Sequence, residues 1–139
     1  MGIFKGSGIG DVDGLNKNRK FTPGEYRIEV QKLFTKPSKK ERGINYLILE
    51  ATVIESSGEE ALEAGKPVSQ ALKLSSEPAW RNAKNMIAAV LGIEDDELTD
   101  ELADEAVEND GAAIVGQVVD AYAERNDRGY IDIVYTATT

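Results

Sequence analysis

The chain predicts a mainly β domain: five extended runs, with a helical insert between the third and the fourth. Three observations predict it. Apolar and polar residues alternate in five stretches, 26–34, 46–54, 68–74, 113–123 and 130–136. Between the third and the fourth, residues 78–109 change to helical spacing. Clusters of Gly, Pro, Ser and Asn separate the runs, as turns require.

Residues 1–20 are rich in Gly, Asn and Asp and show no period. They predict a flexible arm ahead of a domain over 21–139. The arm ends in a basic stretch, Asn16-Lys17-Asn18-Arg19-Lys20, suited to a solvated tail or a phosphate contact. Thr22-Pro23-Gly24-Glu25 is a turn signal. In the first run Tyr26, Ile28, Val30 and Phe34 share a face, with Lys32 interrupting; Arg27, Glu29 and Gln31 take the other. The loop 35–43 sets Lys36, Lys39, Lys40 and Arg42 against Glu41 alone. The second run places Leu47, Leu49, Ala51 and Val53 opposite Tyr46, Ile48, Glu50 and Thr52. Its nearly continuous apolar start, 44–49, marks a central strand. The third run has Val68, Gln70, Leu72 and Leu74 on one side and Ser69, Ala71 and Lys73 on the other.

The insert opens with Ser76 as N-cap, followed by Glu77 and Pro78 in the first turn. Trp80, Ala83, Ile87, Val90 and Leu91 predict a core-facing stripe, and Gly92 stops it. Residues 94–110 hold ten acids and no base. Leu98, Leu102, Ala106 and Val107 give this second helix a narrow docking edge. In the fourth run Gly116 signals a bulge or bend. A tight hairpin at 124–129 leads into the alternating fifth run.

Composition narrows the function. The 139 residues fit one domain. There is no Cys and no His, which excludes disulfides and thiolate sites and removes the commonest general base and zinc ligand. The expectation is a protein that is not an enzyme and holds no cofactor. Asp95, Asp96, Asp100 and Glu101 lack the EF-hand spacing, so no metal site is assigned. Gly6-Ser7-Gly8-Ile9-Gly10 lacks the preceding strand and the Lys-Ser/Thr of a phosphate-binding loop. No apolar run approaches the roughly 20 residues that span a bilayer. No secretory leader is evident in residues 1–10. These features predict a cytoplasmic protein, in the host cytoplasm if viral.

The net charge of −9 conceals an asymmetry. Residues 1–50 carry ten Lys and Arg against six Asp and Glu; residues 51–139 carry six against nineteen. An acidic whole disfavours indiscriminate polyanion binding. A local basic patch still works, because screening limits distant charges to about 8–10 Å at physiological salt.

Three runs, a helical insert and two more runs is the order of the five-stranded OB barrel, with its helix between strands 3 and 4. That fold commonly grips single-stranded nucleic acid through its strand 2–3 face and the 1–2 and 4–5 loops. Here those loops supply Lys36, Lys39, Lys40, Arg42, Arg125 and Arg128 as phosphate contacts, with Lys73 on the third run. Phe34, Tyr46, Tyr122 and Tyr130 stand at run ends beside them as stacking candidates, each also readable as an ordinary half-buried strand residue.

The Pro23-Gly24-Glu25-Tyr26 lead, the Lys-rich first hairpin, Trp80-Arg81-Asn82-Ala83-Lys84 after the third run and the final hairpin share a layout. In that layout the chain resembles small phage-encoded single-stranded DNA-binding proteins of the OB type, over roughly residues 21–136. The resemblance implies sequence-tolerant coating of single-stranded DNA during replication or recombination, without catalysis. Many such proteins end in an acidic, partner-recruiting tail, whereas this chain ends Val134-Tyr135-Thr136-Ala137-Thr138-Thr139. The acidic segment 94–110 is the substitute expected to dock a replication or recombination protein. The layout is also compatible with self-association. The rival reading is a phage virion structural or protein-interaction module without nucleic-acid binding, which the net negative charge favours.

Overall fold

The computed structural model describes residues 19–138. The expectation for residues 1–18, a flexible arm, lies outside the described residues. A five-stranded antiparallel sheet dominates: β2 (Gly24–Pro37), β3 (Asn45–Ser57), β4 (Pro67–Lys73), β5 (Val118–Arg125) and β6 (Ile131–Ala137). A two-residue strand, β1 (Arg19–Lys20), adds in parallel at the β4 edge, giving the order β1-β4-β3-β2-β5-β6. Two helices, α1 (Glu77–Leu91) and α2 (Asp100–Val107), fill the connection from β4 to β5. No helix among the described residues is long and apolar enough to cross a membrane.

The strands follow the alternation. Ile28, Val30, Leu47, Leu49, Val53, Val68 and Val119 are buried on the inward side. β2 is the pivot, pairing with β3 along its length and with β5 over Gly24–Glu29. The sheet does not close into a hydrogen-bonded barrel: among the described residues β4 and β6 share no ladder. A side-chain bond links them instead, from the buried Tyr135 hydroxyl to Gln70 Oε1 at 2.6 Å. Burial pushes that phenol well above its ordinary pKa. Phe21 packs edge-on against Tyr26 and Tyr135, with ring centroids 5.2 and 6.2 Å away. On α1, Asn85 accepts from Tyr135 N at 2.8 Å and donates to Tyr135 O at 2.9 Å, so a side-chain amide stands where a neighbouring strand would.

Both helices start on capping hydroxyls. Ser76 Oγ accepts from Ala79 N, and Thr99 Oγ1 from Leu102 N. Gly92 ends α1 in the left-handed region. α1 buries Ala83, Met86, Ile87 and Val90. The acidic helix docks through Ala106, while Leu102 stays partly exposed.

Three expectations are corrected. Phe34 does not share the face of Tyr26, Ile28 and Val30. A bulge at Gln31 adds a residue to β2, so Leu33 turns inward and Phe34 outward. Trp80 is 57% exposed rather than core, because α1 begins its burial at Ala83 and the first turn stands clear. Residues 113–117 are not strand: they form a turn, and β5 starts at Val118. The β2–β3 ladder shifts register at bulges in β2 and, at Ile54, in β3. The irregularity expected at Gly116 is present too: Gly116 N donates to Val30 O and Val30 N to Gln117 O, both at 2.8 Å, with Gly116 at φ +88°.

A buried turn at Gly111 braces the β2 bulge. With φ +82°, Gly111 lies so close to β2 that an added Cβ would sit 2.8 Å from Leu33 N. Only glycine fits that contact and that conformation.

Candidate nucleic-acid interface

The outward side of β2, β3 and β4 is built in register rows. Lys36 lies opposite Tyr46, and Tyr46 opposite Lys73. In the next row Phe34 lies opposite Ile48, and Ile48 opposite Ala71. The Gln31 bulge is what aligns Phe34 and Lys36 with this side. Phe34, Tyr46 and Ile48 are half-buried.

The β2–β3 hairpin rims the rows. Ser38 N donates to Ile44 O at 2.8 Å, closing the loop. Ser38 Oγ accepts from Glu41 N at 3.1 Å and Lys40 N at 3.3 Å, which sets the tip. Lys36, Lys39, Lys40, Tyr46 and Lys73 then line one open hollow of about 530 Å³. Glu41 in the same loop accepts a hydrogen bond from Lys73 Nζ, which holds that ammonium above its ordinary pKa. Lys36, Lys40 and Arg42 are exposed and carry no ion pair among the described residues.

The β5–β6 hairpin borders the other flank of β4. Asn126 Oδ1 accepts from Arg128 N at 2.9 Å and Tyr130 N at 3.1 Å, fixing this tip. Tyr130, 69% exposed, shares a second hollow of about 540 Å³ with Lys20, Ser69 and Ala71. Ala71 belongs to the Phe34–Ile48 row, so the aromatic row runs from one hairpin toward the other.

The structure thus brings together Phe34, Lys36, Lys39, Lys40, Tyr46 and Lys73 around one surface, with Tyr130 at its far border. Arg42 and Arg128 are exposed on the two tips. Tyr122 and Arg125 have other neighbours: they line a hollow with Glu25, Glu59, Glu60 and Glu124, and Arg125 pairs with Glu60 at 3.3 Å. The sequence alone places Lys20 in the arm rather than on this surface. Its place depends on parallel pairing with β4, which local alternation does not encode. Among the described residues no group of three or more acids is placed to hold a metal ion.

The chain matches no protein-family model, and comparison with curated proteins finds no match.

Proposed function

We propose that the protein is an OB-type, sequence-tolerant single-stranded DNA-binding protein acting in phage replication or recombination. The pivot strand that joins a three-strand meander to a final hairpin, with the helix between them, supports the OB assignment. One observation carries the binding surface: the Lys36–Tyr46–Lys73 row beside the Phe34–Ile48 row on one outward face. Cations there meet phosphates while rings stack on bases, at about 1–3 kcal/mol per stacked base. Lys36, Lys39, Lys40, Arg42 and Lys73 take the backbone, and Phe34, Tyr46 and Tyr130 take bases. Tyr122 and Arg125, among acids, are left out of this surface.

The test is titration with oligo(dT) at several salt concentrations, read by intrinsic fluorescence. Affinity should fall with a log–log slope of about −0.7 per phosphate neutralised, near −2 to −3.5 for three to five contacts. A virion or interaction module, which the net charge of −9 favours, gives no spectral shift even at low salt.

A further inference from the structure

A second outward face lies across β2, β5 and β6. Its central row runs from Glu25 to Tyr122 to Val134. Tyr122 is 48% and Val134 54% exposed, and both border an open hollow of about 390 Å³. In the adjacent row Glu124 stands directly opposite Asp132. Like charges so placed destabilise a sheet. Asp132 receives only the Asn126 amide, at 3.3 Å. Among the described residues Glu25, Glu55, Glu124 and Asp132 carry no ion pair. Among the described residues the two cations bordering this face are already taken, Arg27 by Asp120 at 2.9 Å and Arg125 by Glu60 at 3.3 Å.

We propose that this face docks a cationic polypeptide segment carrying an apolar anchor. The anchor packs between Tyr122 and Val134, and Lys or Arg side chains meet Glu25, Glu55, Glu124 and Asp132. Charge complementarity selects this occupant. Nucleic acid is repelled by the same carboxylates. The identical face of a second copy brings the same charges, so a two-fold self-contact is repulsive too.

The probe is a labelled Lys/Arg-rich dodecapeptide with one central Trp, compared with the same peptide carrying Ser instead, by fluorescence anisotropy on the full chain. The Trp peptide should bind at least about tenfold tighter. Tyr122→Ser should abolish that preference, and Glu124→Gln with Asp132→Asn should weaken both peptides about tenfold. Oligo(dT) affinity should stay within about twofold in both variants, so this proposal and the nucleic-acid reading fail separately. Equal affinity for the two peptides, or a preference that survives Tyr122→Ser, overturns the proposal. So does concentration-dependent self-association in sedimentation that Tyr122→Ser removes.

Discussion

Before the Gln31 bulge, β2 presents Glu25, Arg27 and Glu29 outward, between β3 and β5. After it, the same strand presents Lys32, Phe34 and Lys36, paired with β3 alone. The first half joins an acidic face whose aromatic is Tyr122; the second joins a cationic face whose aromatics are Phe34 and Tyr46. One strand therefore serves two surfaces of opposite sign, and one inserted residue marks the change. The difference teaches that the net charge is a poor guide to partners here. Screening makes each surface answer to its own neighbours.

The two faces meet at the bulge, and a change there reaches both. Gly111→Ala forces a Cβ against the Leu33 backbone at positive φ. It should cost about 2–4 kcal/mol of stability, seen as a lower urea midpoint, and should disturb both faces. Charge reversal sharpens the contrast between the faces. Lys36→Glu with Lys40→Glu should reduce oligo(dT) affinity about a hundredfold at low salt, and flatten the salt slope by about 1.4 if two phosphate contacts go. Tyr46→Ala should cost about 1–3 kcal/mol of oligonucleotide binding, measured by the same titration, with little change in salt slope.

The smallest effect concerns the seam between β4 and β6. The Tyr135 phenol is raised by burial, so the folded state holds its proton longer than the unfolded chain. Its contribution is complete below the unfolded value near 10 and declines as pH rises from there, by about 1.4 kcal/mol per pH unit. Urea midpoints between about pH 9 and 11.5 should fall accordingly, and Tyr135→Phe should flatten that decline.

Much of this was legible in the sequence. Alternation located all five long strands, and the Ser76 cap and Gly92 stop bounded α1. The basic first loop was legible as well, because its lysines are adjacent in sequence. What was hidden depended on partners far along the chain. The β2 bulge exchanges Leu33 and Phe34 only because β3 and the Gly111 turn demand it. Trp80 has the spacing of a buried residue, yet whether anything lies over the first turn of α1 is a matter of tertiary reach. Ile114 and Val115 look like strand, but they lie in a turn, and backbone bonding to β2 begins only at Gly116. Tyr122 and Arg125 looked like neighbours of a basic loop. Cross-strand register instead sets Glu25 opposite Tyr122, and the turn after β3 brings Glu60 to Arg125.

The Asn85 amide has a consequence for assembly. Outer strands are where sheets of separate molecules join, each lending the other its free peptide groups. At Tyr135 both of those groups already belong to α1. An incoming strand could add along β6 only by evicting a side chain that the helix holds in place, so crowded copies would sit side by side without fusing into a continuous sheet there.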